Sequence, residues 1–282
     1  MSRPLILYHA NCMDGFCAAW CAWRKFGDSA DYIPVQYSQD PPDVVGREVF
    51  ILDFSYRAPV LIAMVEAATK ITVLDHHKTA EADLAAVKSW ASWASEEVQG
   101  YDCKFDLNKS GGRLAWEYFF PEKVSPWRVD YTEDRDLWRW QLQDSREISA
   151  FIASHPFDFK LCDNWLITSP HAGQTGLWTR FVAEGAAILR YQAQLITSIC
   201  SVAREIEIDG HKVLAANTSC LHSEVAGALA QGKPFGATWF IRADGKKQWS
   251  VRCATDRGVD VSEIAKRRGN GGHRNAAGWV EQ

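Results

Sequence analysis

Paired cysteines are missing from this chain. Its 282 residues include eight cysteines, but Cys12, Cys17, Cys21, Cys103, Cys162, Cys200, Cys220 and Cys253 are scattered, and no CxxC occurs. The pattern argues against a disulfide scaffold and fits reduced thiols in a cytoplasmic protein. Long apolar runs are lacking too: no segment approaches the roughly 20 apolar residues that a membrane span needs. The N-terminus, MSRPLILYHA, has one short apolar run broken by Tyr8 and His9, with no cleavage-site pattern of a secretory signal. A soluble protein with no membrane partner is expected. Nor is there an excess of positive charge, since 31 Lys and Arg face 35 Asp and Glu for a net charge of −4. That excludes the whole-protein basic footprint of a long-duplex binder and leaves a local basic patch open. Internal repeats and low-complexity tracts are absent as well.

What is there is a regular alternation. The runs LILYHA, DYIPVQY, EVFILDFS and KITVLDHH read as strands, and GFCAAWCAWRKFG, APVLIAMVEAA and EADLAAVKSW read as helices. Such βαβ punctuation predicts an α/β fold with a doubly wound, mostly parallel sheet covered on both faces. Two more helices are expected, GGRLAWEYFF and a segment after Pro126, then a Trp-rich stretch around YTEDRDLWRWQ. A long helical pattern, RFVAEGAAILRYQAQLITSICSVAR, precedes EIEIDGHKVLAANT, GATWFIRADGKKQWSVRC and VDVSEIAKRRG, which suggest strand, hairpin at Asp244-Gly245, and helix. The domains expected are therefore 1–180, a connecting helix over 181–204, and a smaller α/β domain over 205–282.

In doubly wound sheets, sites form at the carboxyl ends of strands. Three expected strands end in LYHANCMDG, ILDFS and VLDHH, which bring forward His9, Asp14, Asp53, Asp75, His76 and His77, and Asp134 lies further on in DRDLW. Taken singly, an Asp after a strand is more often a turn or capping residue, and a lone His more often a satisfied near-core residue. Their joint placement at three strand ends favours a divalent cation, because mixed oxygen and nitrogen ligands suit Mn²⁺, Mg²⁺ or Zn²⁺. Without one, crowded carboxylates repel and their pKa values rise.

These strings resemble, in order along nearly the whole chain, the motifs of the DHH phosphoesterase superfamily with its DHH-associated C-terminal domain: HANCMDGFCAAW the first, ILDFS the second, LDHHKTA the eponymous one, and YTEDRDLW the fourth. SVRC and GNGGHRNAAGW resemble the substrate-binding signature of the C-terminal domain, and the whole is similar to nano-RNases and single-strand exonucleases. The resemblance implies a two-lobed hydrolase holding one or two divalent cations, usually Mn²⁺, that act on a substrate gripped by the C-terminal lobe. Carried over, His9, Asp14, Asp53, His76 and Asp134 would be metal ligands with Asp53 as the bridge. His77 would face the scissile phosphate, and Asp75 would support the shell. The first motif departs from the family pattern, in which two aspartates separated by one residue follow the histidine. Here only Asp14 is present; the other position holds Cys12 or Phe16 depending on register, and Asn11 offers an amide oxygen. In DRDLW, Asp136 is read as an ion-pair partner of Arg135 or Arg139, or as a helix cap.

The glycines of RRGNGGHRNAAG let backbone amides approach a phosphate, with His273 and an arginine adding charge-assisted bonds. Their bland reading is a helix C-cap and loop. Arg252, Gly271, Gly272 and His273 are the substrate-binding candidates. Ser110-Gly111-Gly112 resembles a family segment that packs behind the active site, and a plain helix start explains it as well; Trp138 and Trp140 could stack a base, but most of the 13 tryptophans must be core or interface, and none is assigned to substrate. The resemblance implies a metal-dependent phosphodiesterase or phosphohydrolase, using metal-activated water on short single-stranded oligonucleotides or small nucleotides. Cyclic dinucleotides or 3′-phosphoadenosine 5′-phosphate are alternative substrates. A non-catalytic nucleotide-binding module is the reading from another class, and a homodimer is compatible with all of them.

Overall fold

A computed structural model describes residues 2–36, 39–93, 100–165, 175–254 and 259–281. Tyr37, at the end of one expected strand, lies outside them. The chain divides into two units, Met1–Ile188 and Leu189–Gln282. No helix among the described residues is long and apolar enough to cross a membrane.

In the first unit, β1 (Leu5–His9), α1 (Met13–Phe26), β2 (Asp31–Val35), β3 (Glu48–Leu52), α2 (Ala58–Ala67), β4 (Lys70–Asp75), α3 (Glu81–Trp93) and β5 (Tyr101–Phe105) follow one another. The five strands are all parallel, in the order β2-β1-β3-β4-β5. The inner strands β1, β3 and β4 are buried on both faces, and their alternate side chains feed two separate cores. Ile6, Phe50, Leu52 and Leu74 pack with Phe16, Trp20 and Leu114; Leu5, Leu7, Val49, Ile51, Ile71 and Val73 pack with Leu61, Met64 and Leu84. β5, YDCKF, has no counterpart in the strands expected from sequence. Its Asp102 and Lys104 interrupt any apolar run, and the strand forms because β4 offers it an edge.

The order places the reversal of winding between β1 and β3, where the loops leaving the two strands diverge and open a crevice. Four further helices, α4 (Gly111–Phe119), α5 (Trp127–Asp136), α6 (Ser145–Ala153) and α7 (Phe159–Trp165), complete the aromatic core around Trp116, Trp127, Phe151 and Trp165. The division between the units falls within α8 (Thr175–Ser201).

The second unit holds β6 (Arg204–Ile208), β7 (His211–Asn217), α9 (His222–Leu229), β8 (Gly236–Ile241), β9 (Lys247–Arg252), α10 (Val261–Lys266), β10 (Gly271–His273) and β11 (Ala276–Glu281). Its mixed sheet runs β10-β11-β9-β8-β7-β6. The β8–β9 hairpin turns at Asp244-Gly245, where Gly245 has φ 79. The glycine cluster is not a loose loop after a helix: Gly271 pairs with Gly278 and His273 with Ala276 in an antiparallel ladder. Gly272 sits at φ 148, where a Cβ would meet the Ala276 carbonyl oxygen at 2.5 Å. Only glycine permits that backbone to lie so close to its neighbour.

Candidate metal centre

His9 ends β1, and the chain then turns through Asn11, at φ 55, into α1. The turn brings the helix start back over the strand end, so a Cβ at Gly15 would lie 2.3 Å from the His9 carbonyl oxygen. Asp14 thus points inward from the first helical turn. Its carboxylate accepts hydrogen bonds from the amides of Gly111 (2.6 Å) and Gly112 (2.9 Å), buried donors at the start of α4 that have no partner within the helix. Ser110 caps that helix, its hydroxyl accepting from the Arg113 amide.

Asp53 follows β3 in the left-handed region, at φ 63, its amide donating to the Leu74 carbonyl. The unusual backbone turns its carboxylate across the crevice toward the end of β4. There Asp75 caps its own loop: Oδ1 accepts from the amides of His76 (2.7 Å) and His77 (3.1 Å) and from His77 Nδ1 (2.8 Å). This leaves His77 with its Nδ1 proton committed to Asp75 and fixes the ring's orientation.

His76 is the meeting point. Its Nε2 donates to Asp53 Oδ1 at 3.0 Å and lies 3.6 Å from both Asp14 Oδ2 and Asp136 Oδ2. On the opposite side of Asp53, Oδ2 stands 3.5 Å from His9 Nδ1. Two donor groups result, Asp14 with Asp53 and His76, and His9 with Cys12 and Asp53; within each, the candidate ligand atoms lie within 4.8 Å of one another. Asp53 belongs to both. The buried oxygens Asp53 Oδ2 and Asp136 Oδ2 have no hydrogen-bond partner among the described residues. Buried carboxylate oxygens left unpaired are costly, and a divalent cation among these oxygen and imidazole donors satisfies them.

Titration behaviour agrees. Burial pushes the Asp14 carboxyl well up, and the neighbouring Asp53 and Asp136 charges push it further. Asp136 is raised by burial and by Asp53. Burial alone would lower the His76 imidazole, but its bond to Asp53 and the charges of Asp136, Asp53 and Asp14 prevail and carry it up to about 10. Asp53 is buried too, yet its bond to His76 and the nearby His9 and His77 imidazoles hold it well below the usual carboxylate range. The Cys12 thiol is pushed well up by burial and by the three carboxylates, so it stays protonated while no cation is present.

A prediction follows from the sign of the His76 shift. Its folded value exceeds the 6.5 of an unperturbed imidazole. Metal-free protein therefore has the full stabilisation below pH 6.5 and loses it as pH rises toward 10. A cation must displace that proton, so its binding strengthens over the same range. In chelator-stripped protein, the rise in melting temperature caused by a fixed Mn²⁺ concentration should be larger at pH 8 than at pH 6. An equal or smaller rise at pH 8 would count against His76 as a ligand.

The structure brings His9, Asp14, Asp53 and His76 together, with Asp75 and His77 beside them. It does not bring Asp134 in. That carboxylate turns the other way, accepting from the amides of Gln141 (2.9 Å) and Leu142 (3.3 Å) and from the Ser145 hydroxyl. Asp136 faces the crevice instead, its Oδ2 3.6 Å from His76 Nε2. Residues two apart on a helix point in nearly opposite directions, so only one of the pair can face the crevice. Sequence spacing signals that choice but does not make it. The seat of α5 makes it: Glu133 receives the Ser110 amide (3.4 Å) and the Arg113 guanidinium (2.9 Å), fixing the helix against α4. Gly111 and Gly112, read from the sequence as a segment packing behind the site or as a plain helix start, hold Asp14 through their amides.

In the second unit Arg252 ends β9 opposite Gly236 of β8 and Ala276 of β11, its Nη2 donating to Ser223 Oγ at 2.5 Å. His273 and Gly271-Gly272 lie on β10, next to β11 in the same sheet.

Parallel strands carrying imidazoles and carboxylates at a switch point define an α/β protein with a two-group candidate metal centre. Comparison with known proteins gives the lineage. No family model matches the chain. It is 29% identical over 97% of its length to an uncharacterised protein of Acanthamoeba polyphaga mimivirus, of which it spans 66%. It is 23% identical over 96% of its length to oligoribonuclease NrnB of Bacillus subtilis (strain 168), of which it spans 71%. Among solved structures, a pGpG-specific phosphodiesterase, PggH from Vibrio cholerae, shares the fold at TM-score 0.51 and 13% identity, over 98% of this chain and 92% of that one. The fold is thus shared with that phosphodiesterase, and the order of the motifs along the chain resembles that of the DHH phosphoesterase superfamily.

Proposed function

We propose that this chain is a divalent-metal-dependent phosphodiesterase that hydrolyses short single-stranded oligonucleotides. The observation that carries the reading is Asp53, shared by two donor groups and keeping one buried oxygen without a hydrogen bond. His9, Asp14, Asp53, His76 and Asp136 would hold the ions, with Mn²⁺ the favoured occupant and Cys12 next to one of them. A cation held there supplies acidity to a water and offsets charge on phosphoryl oxygens. The chain's own residues do the rest. Gly111 and Gly112 hold the Asp14 carboxylate in place through their amides. Asp75 accepts from His77 Nδ1, and its charge outweighs burial to favour the doubly protonated ring, whose Nε2–H can donate to a phosphoryl oxygen as charge develops on it. Arg252, His273 and the Gly271-Gly272 backbone would bind a second phosphate or the nucleotide that carries it. The likeness to an oligoribonuclease supports this substrate class. Small dinucleotides, 3′-phosphoadenosine 5′-phosphate and cyclic dinucleotides form the second reading, favoured by the fold shared with a pGpG phosphodiesterase.

The test is hydrolysis of a labelled dinucleotide and of bis-p-nitrophenyl phosphate by the purified chain with Mn²⁺, against a chelator control. Turnover that requires the cation is expected. Tight dinucleotide binding without turnover under Mn²⁺ and Mg²⁺ would instead favour a nucleotide-binding module, a reading motivated by the single carboxylate in HANCMDGF. Arg252→Ala should raise KM for the dinucleotide roughly tenfold and leave kcat nearly unchanged, as expected when a group binds substrate and transition state alike. A fall confined to kcat would remove Arg252 from substrate binding.

A further inference from the structure

Immediately beyond Asp136 the chain makes a turn that neither the sheet nor the aromatic core demands. Trp138 has φ 57 and Trp140 φ 54, with Asp144 at φ 55 a little further on. Large side chains rarely adopt this backbone, and such outliers persist only where their surroundings over-determine them. Here Asp134 does so. Its backbone carbonyl accepts the Arg139 amide (2.8 Å), and its carboxylate takes the Gln141 and Leu142 amides and the Ser145 hydroxyl. Arg139 adds a bond from Nη2 to the Asn108 carbonyl (2.6 Å). The second indole is buttressed as well, with the Arg146 guanidinium 4.5 Å from the Trp140 ring centre.

What this scaffold presents is the ring of Trp138. It meets Trp140 edge-on, ring centres 5.1 Å apart at 73°, and remains 45% exposed. A single exposed aromatic needs no explanation in itself, and Trp93, more exposed at the end of α3, receives none. Trp138 differs in being held in an unfavourable backbone by a dedicated network, two residues from Asp136. Two residues of chain span at most about 7 Å, so its backbone lies at the rim of the candidate metal centre.

We propose that Trp138 is the stacking platform for the nucleobase flanking the scissile phosphate, a specificity residue for single-stranded substrates. The inference rests on the phosphodiesterase reading above and adds to it the surface that receives a base. Every base has a π-face, so a stacking platform accepts many sequences while discriminating against a substrate without a base. Asp134 is then the positioning residue for the platform.

The experiment compares a dinucleotide with its abasic analogue, in which one base is replaced by hydrogen. Trp138→Ala should raise KM for the dinucleotide roughly tenfold, with kcat within about twofold. It should leave the abasic analogue's KM unchanged, and Trp138→Phe should restore most of the loss. An unchanged dinucleotide KM, or an equal loss on both substrates, overturns the proposal, the second outcome marking a role confined to placing Asp136. If the unaltered chain hydrolyses neither substrate with Mn²⁺, the phosphodiesterase reading fails by itself. Fluorescence anisotropy of a labelled dinucleotide then decides the platform: roughly tenfold weaker binding by Trp138→Ala supports it, and equal binding ends it.

Discussion

Asp53→Asn should leave the protein folded and reduce kcat/KM on a dinucleotide by at least about 10³-fold, a barrier increase of about 4 kcal/mol. Asparagine is the informative substitution because it tolerates the left-handed backbone, φ 63, that Asp53 requires. It preserves the shape and removes the charge. The loss should be large because Asp53 belongs to both donor groups, so one change weakens each. The same variant should lose the Mn²⁺-dependent rise in melting temperature, while its circular dichroism matches that of the parent. Retention of more than a tenth of the activity would show that the centre does not depend on this carboxylate.

Gly111→Ala should be nearly as damaging, through geometry instead of charge. A Cβ at residue 111 would lie 2.5 Å from Asp53 Cβ and 2.7 Å from Asp53 Oδ1. The Asp53 Cβ is fixed to backbone, so rotation of the side chain cannot relieve the contact. Either α4 retreats, withdrawing the two amides from Asp14, or Asp53 leaves its position. We expect a fall in activity of at least about 100-fold and a destabilisation of about 1–3 kcal/mol, the usual cost of overpacking. Gly112→Ala meets Asp14 Oδ1 and Cys17 Sγ at 3.0 Å and should do less. Gly227→Ala, in α9 with nothing within 4 Å, is the control: it should gain about 0.5–1 kcal/mol from helix propensity alone. A fully active Gly111→Ala enzyme would refute the close packing of α4 on the centre.

Both effects rest on side chains that the sequence announced unequally. His9, Asp53, His76 and His77 were legible because short apolar strands end on or just before them, and Asp14 because it opens the helix that follows the first strand; parallel α/β sheets gather their strand ends on one edge. The fifth strand was not legible, because YDCKF pairs through its backbone with β4 and leaves little apolar signature. The glycine cluster, read as a phosphate-binding segment with a helix C-cap and loop as its bland alternative, pairs as a strand because β11 lies beside it to complete the ladder. Asp134 and Asp136 show the limit at atomic scale. Both lie near the end of one helix, and one carboxylate serves the tryptophan loop while its neighbour turns to His76.

The amino-acid sequence by itself determined the parallel α/β class, the strand ends that carry titratable groups and the candidacy of a divalent cation, since each follows from local periodicity and residue chemistry. Tertiary structure alone decided that Asp136 faces the imidazoles, that the α4 amides hold Asp14, and that two glycines must lack side chains against His9 and Asp53. Those outcomes depend on how a helix is seated and how closely two backbones approach, and contacts between residues distant in the chain set both.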